Sequence, residues 1–138
     1  MSSNTLQADI NEILLGYYVL GGKWKGFQDQ ANTKRQLNGR KEQVGEKLYK
    51  IQSARAEAMS DMTLKWAKQN GYKGKVVKVW WTARPGILSK AVGYDVDSRK
   101  NPTDTLLLFA DGQFLGVSAK STKGKGDIGF KNPGVGTV

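Results

Sequence analysis

The chain has neither cysteine nor histidine among its 138 residues. Without cysteine there is no disulfide framework and no thiolate metal site, which fits a reducing compartment. The two absences together exclude Cys and His nucleophiles and bases, and imidazole-rich zinc sites. Any metal must therefore be held by oxygen, which points to Mg²⁺ or Mn²⁺. No run comes near the ~18 consecutive apolar residues of a membrane helix, and the amino terminus lacks a charged segment followed by a long apolar one. Neither a membrane span nor a secretion signal is indicated, and a cytoplasmic setting is expected. Acid is scarce as well: 12 Asp and Glu stand against 22 Lys and Arg, a formal charge of +10. The partner expected for such a chain is a polyanion, nucleic acid first. The excess is not confined to a tail, since residues 1–70 carry 11 basic and 7 acidic side chains and residues 71–138 carry 11 and 5.

At this length the chain reads as one domain, residues 1–138, either whole or one part of a larger protein. Leu6, Ile10, Ile13, Leu14, Tyr17 and Leu20 recur at helical spacing and predict a helix over 5–20, with Asn4 and Gln7 as a capping pair and Gly21-Gly22 as its stop. Residues 23–33 read as a loop. A second helical pattern runs from Lys34 to Gln69, with Val44, Leu48, Ile51, Ala58, Met62 and Trp66 on one stripe. Its expected break is Asn38-Gly39, so that a long helix starts near residue 40. Lys75–Thr82 is β-branched and aromatic and predicts a strand, in which Trp80 and Trp81 face opposite sides and are both best read as core. Arg84-Pro85-Gly86 breaks it, and 87–92 reads as a short helical turn. Strands follow near 104–110 and 113–120, joined at Asp111-Gly112. The last 18 residues, rich in Gly and Lys, read as mobile. Residues 132–138 look like a loop leading to a further strand, so that the tail either packs on a partner or belongs to a longer chain. The fold class expected is α/β, with amino-terminal helices on a small mixed β-sheet.

In an antiparallel hairpin the start of one strand lies beside the end of the other, which brings Asp104 toward Lys120. The sequence Asn101-Pro102-Thr103-Asp104, the turn, and Ser118-Ala119-Lys120 together resemble the core of the PD-(D/E)XK nuclease superfamily, in a Ser-x-Lys form. One residue is inserted after the proline, and serine stands where an acid is usual. The resemblance is close over residues 101–122 and loose over the preceding helix–helix–strand order. It implies a restriction-endonuclease-like core and a metal-dependent DNA endonuclease of the small phage or mobile-element type, acting in a bacterial or phage-infected cell.

In superfamily members with Ser-x-Lys the relocated acid lies downstream of the lysine. Here only Asp127 follows Lys120, and no glutamate follows Glu57, so the missing ligand is expected from a helix. Glu12, on the shoulder of the first apolar face, is the first choice. Glu46 is the second, although its i, i+4 ladder with Glu42 and Lys50 is that of a solvated face. The roles implied are metal binding by Asp104, Glu12 and the Ala119 carbonyl, orientation of water or stabilisation of phosphorane charge by Lys120, and hydrogen bonding by Ser118. Contacts to nucleic acid are expected from Lys123, Lys125, Lys131, Thr122 and Arg84. Two rivals stand beside the nuclease: a non-catalytic nucleic-acid-binding module of the same fold, and a structural or assembly protein docking through its carboxyl-terminal end. A homo-oligomer or a partner chain completing that end is left open.

Overall fold

The computed structural model describes residues 2–82, 104–122 and 125–131, with side chains of 119–122 and 125–131 excepted. In chain order the elements are α1 (Ser3–Val19), α2 (Gln30–Val44), α3 (Glu46–Gln69), β1 (Val76–Trp81), β2 (Thr105–Phe109), β3 (Phe114–Thr122) and β4 (Lys125–Lys131). The architecture is mixed α/β, with three helices and one small sheet among the described residues.

Helix α1 starts two residues earlier than its apolar periodicity predicts, because Ser2 caps it: the Ser2 hydroxyl accepts from the Thr5 amide at 3.3 Å. Asn4 and Gln7 lie inside the helix instead of capping it. The stop at Gly21-Gly22 is as expected, with both glycines at positive φ and their amides donating to the Tyr18 and Tyr17 carbonyls. Every residue from Ile10 to Gly16 is buried, so α1 is enclosed on all sides, by α2 and α3 on one hand and the sheet on the other. At Gly16 helix and sheet touch most closely. A Cβ there would sit 2.6 Å from Val79 Cγ1 and 2.8 Å from Phe27 Cε2, so only glycine permits the approach.

The second helical stretch breaks at Gly45 and not at Asn38-Gly39. Gly45 has φ +88° and ψ 161°, a conformation open to glycine alone, whereas Gly39 lies within α2. The reading of 23–33 as a loop holds only to Asp29, since α2 begins at Gln30. The buried face of α3 also differs from the apolar stripe. Gln52, Ala56, Met59, Ser60, Thr63 and Ala67 are buried, while Ile51, Ala58 and Met62 are exposed. Small side chains let α3 lie close to α1, and polar pairs (Asn11 Nδ2 to Gln52 Oε1, Tyr18 with Ser53) join the two.

The sheet runs in the order β1-β2-β3-β4 with every ladder antiparallel. The expected mixed sheet is therefore corrected to an antiparallel one, the one parallel pairing among the described residues being an isolated bridge between Phe27 and Val79. The hairpin is as read. Gly112 turns at φ +89°, and the Asp111 carboxylate accepts from the Gln113 amide at 3.0 Å and the Lys73 amide at 2.8 Å. Residues 125–131, read as part of a mobile tail, have the backbone of a strand paired to β3. The turn read at 87–92 and the terminal loop at 132–138 lie outside the described residues. Val79, Trp81, Leu107, Phe109, Leu115 and Val117 form one core with Ile10, Ile13 and Leu15 of α1.

Candidate active site

Asp104 precedes β2 by one residue and is held there by the sheet on both sides. Its amide donates to the Val117 carbonyl, and its carbonyl accepts from the Thr82 amide, both at 3.0 Å. The β2–β3 register, Thr105 opposite Val117, leads Asp104 toward Ser118. The Ser118 hydroxyl donates to Asp104 Oδ2 at 3.3 Å. The hairpin thus brings Asp104 together with Ser118, the first residue of the Ser-x-Lys triplet.

Glu12 reaches the same place from the helical layer. The Thr105 hydroxyl donates to the Glu12 main-chain carbonyl at 2.9 Å, tying α1 to the start of β2, and the Trp81 indole N–H donates to Glu12 Oε1 at 3.0 Å. Only 8% of Glu12 is exposed. Burial pushes its carboxyl up to about 8, helped by the negative charges of Asp104 and Asp9 and opposed by the Trp81 hydrogen bond and by Arg40. The Asp104 charge is the second largest of these influences, so the two carboxyl groups sense one another across the junction of helix and sheet.

Arg40 of α2 completes the surroundings. Its Nε lies 2.8 Å from Asp9 Oδ2, its Nη1 donates to the Gln36 side-chain oxygen at 2.7 Å, and its guanidinium carbon is 5.4 Å from the centre of the Trp81 ring. The cation is therefore committed to Asp9 and the indole and only partly offsets the charge at Glu12. Arg40 and Asp9 carry no local signal in the sequence and were not expected at the site. Trp81 is buried, as its place in the apolar strand predicts. The signal available was chemical: a buried indole N–H needs an acceptor.

Glu46, the second choice for the helical acid, stands at the start of α3 with 72% of its side chain exposed and pairs with Lys50 at 3.5 Å. It is not brought to the site, as its charge ladder suggested. Lys120 stands in β3 two residues beyond Ser118, roughly 7 Å along the strand, and opposite Asp127 of β4. Ala119 stands opposite Ile128, and Thr122 opposite Lys125 at the far end of the same ladder. Lys131 ends β4 opposite Gly116. Arg84 and Lys123 lie outside the described residues, as do the side chains of Lys120, Thr122, Lys125 and Lys131.

Among the described residues no group of three or more acidic side chains gathers to hold a metal ion. Of the acids near Glu12, Asp9 is taken by Arg40, which leaves Glu12 itself and Asp104, with the Ser118 hydroxyl beside Asp104. A hard divalent cation accepts such an all-oxygen set, supplemented by main-chain carbonyl and water. A carboxyl kept neutral to about pH 8 by burial and a neighbouring carboxylate is one whose ionised form such a cation would stabilise. The donors here are all oxygen, the type a hard divalent cation takes. No known family, curated protein or solved structure matches the chain.

Proposed function

We propose that the chain is a metal-dependent endonuclease hydrolysing DNA phosphodiester bonds, built on a restriction-endonuclease-like core. The observation that carries the reading is that Glu12 of α1 senses the charge of Asp104, 92 positions further along the chain, while Ser118 of the hairpin hydrogen-bonds to Asp104. The +10 charge supports a polyanionic substrate.

Asp104 and Glu12 would hold Mg²⁺ or Mn²⁺, with the Ala119 carbonyl as a further ligand. Such an ion, when bound, supplies neutralisation of phosphate charge and a lowered pKa for bound water. The protein's own groups supply position. Trp81 fixes one oxygen of Glu12, Thr105 anchors the turn of α1 that carries it, and Ser118 orients Asp104 through its hydrogen bond. Lys120 is assigned to the negative charge that builds at phosphorus, on the ground that strand alternation gives positions 118 and 120 the same face.

The test is cleavage of supercoiled plasmid. Relaxation or linearisation is expected with Mg²⁺ or Mn²⁺, abolished by EDTA and by Asp104→Asn, Glu12→Gln or Lys120→Ala. A protein that binds the plasmid yet leaves it intact with either metal is not a nuclease. The second reading, a binding module of the same fold, then takes its place. Ser118 favours that module, because a neutral hydroxyl stands against Asp104 where a third acid would strengthen the metal site.

A further inference from the structure

A concave site lies in the helical layer, lined by none of Glu12, Asp104 and Ser118. It is a cleft of about 380 Å³ between α1, α2, the start of α3 and the loop after α1, within the ~300–1,000 Å³ range of ligand sites. Its walls are Tyr17, Tyr18, Trp24, Lys34, Asn38 and Tyr49, over a floor of Leu14 and Leu37. Among the described residues no acidic side chain lines it.

Each wall has a structural cause. Lys34, Leu37, Asn38 and Lys41 fall at i, i+3, i+4 and i+7 on α2 and so share one side of that helix. Trp24 is placed by the loop between α1 and α2, which is zipped to β1 by the Val79 amide on the Gly26 carbonyl at 3.0 Å and the Gln28 amide on the Val79 carbonyl at 2.8 Å. Gly26 has to be glycine there: φ is +96°, and a Cβ would sit 2.5 Å from the Val77 oxygen. The Trp24 ring packs 4.9 Å from Tyr17 and 5.3 Å from Phe27. Two cations overlie the aromatic wall, Lys34 at 5.4 Å from the Trp24 ring centre and Lys41 at 4.7 Å from that of Tyr49. Burial and the neighbouring phenols of Tyr18 and Tyr17 push the Tyr49 phenol above its usual range, in keeping with three hydroxyls crowding one wall.

Flat aromatic faces, lysines at the rim, an exposed carboxamide and no acid suit an anionic ligand with a planar ring. We infer that this cleft binds one unpaired nucleotide of a nucleic-acid strand, its base against Trp24 and Tyr17, its base edge toward Asn38 and its phosphate between Lys34 and Lys41. A base within a duplex cannot enter a recessed aromatic site, whereas an unstacked one can. Helix α1 links the cleft to the candidate active site: Tyr17 lies five residues beyond Glu12, about 7.5 Å along the axis. The inference draws its class of partner from the proposed function but does not require cleavage.

The experiment is fluorescence anisotropy of a labelled oligothymidylate and of a blunt duplex, in EDTA, with wild type, Trp24→Phe, Trp24→Ala and the double variant Lys34→Gln/Lys41→Gln. Trp24→Ala is expected to weaken single-strand binding roughly 5- to 150-fold, the range for loss of one base stack, while Trp24→Phe retains most of it. The lysine variant substitutes side chains at the protein surface, so it reports even if Trp24→Ala unfolds; it should lose single-strand affinity by more than duplex affinity. Wild-type single-strand affinity in both the alanine and the lysine variants, or a parallel loss for single strand and duplex, overturns the inference. Plasmid cleavage by the same wild-type preparation keeps the two readings apart, since cleavage with an inert cleft sinks only the cleft, and a functional cleft without cleavage sinks only the nuclease.

Discussion

Glu12 gives the protein a pH dependence whose sign follows from its environment. Its carboxyl sits near 8 in the folded chain against 4.5 for an ordinary glutamate, because burial disfavours the carboxylate and Asp104 adds to the cost. Between those two values the folded state holds a proton that the unfolded chain releases, so stability falls as pH rises. The penalty is absent below about 4.5 and complete above about 8. At about 1.4 kcal/mol per unit it amounts to a few kcal/mol. In EDTA the melting temperature of the wild type should therefore decline from about pH 5 to about pH 8. Glu12→Gln, which keeps the shape and cannot ionise, should flatten that decline. Parallel melting curves for the two proteins would mean that Glu12 is solvated and its neighbours are not those described. Added Mg²⁺ should restore wild-type stability at the upper end of the window and do little for Glu12→Gln, since only an ionised carboxylate gains from the cation.

At the scale of elements, the junction between α2 and α3 depends on which glycine takes a positive φ. Gly45, at φ +88° and ψ 161°, has open space around it, so alanine there is opposed by backbone strain alone. Gly45→Ala should destabilise the fold by about 1–3 kcal/mol. Gly39 is helical, and a Cβ would meet nothing within 4 Å. Gly39→Ala should therefore stabilise by about 0.5–1 kcal/mol. Urea midpoints for the two variants check both signs, and a destabilised Gly39→Ala would place the break where the Asn-Gly dipeptide suggested. That dipeptide misleads because composition marks where a chain is able to turn, while long-range packing decides where it does. The same limit explains α3, whose buried face is chosen by closeness to α1 and so favours Ala56, Ser60 and Thr63 over Ile51 and Met62. It also explains β4, where Gly and Lys hide a strand held by its pairing to β3. Helix α1 and the hairpin were legible because their signals are local: a 3.6-residue apolar period ending in two glycines, and two apolar runs around Asp111-Gly112. Of the candidate site, Glu12, Asp104 and Ser118 could be read from their motifs. Asp9 and Arg40 could not, since only the folded chain brings positions 9, 40 and 81 together, and Trp81 was legible as a core residue but not as the donor to Glu12.

For the molecule as a whole, the question is whether the +10 charge acts as a field or at particular points. The sheet has two edges. That of β1 is partly covered by the loop at Gly26–Gln28, which bonds to Val79, whereas no further strand pairs with β4 among the described residues. Lysines on an exposed edge strand discourage pairing with other chains, and lysines beside a nuclease site attract phosphate. Lys125 and Lys131 stand on β4, with Lys123 just before it. The two roles predict different consequences. If these lysines contact phosphate, replacing all three with Gln should weaken DNA binding and flatten its salt dependence by about 0.9 per lost contact in log–log slope. If they guard the edge, the triple variant should keep its DNA affinity and salt slope but self-associate in sedimentation. We expect the first outcome. Lys120→Ala should behave differently again, abolishing cleavage while leaving most of the affinity, because one ammonium among 22 basic residues is a small part of the field yet sits within two residues of Ser118. Should Lys120→Ala lose affinity as severely as the triple variant and still cleave at saturating protein, Lys120 anchors phosphate and takes no part in the chemistry. The charge then acts as a field throughout, and the cleavage site must be sought around Glu12 and Asp104 alone.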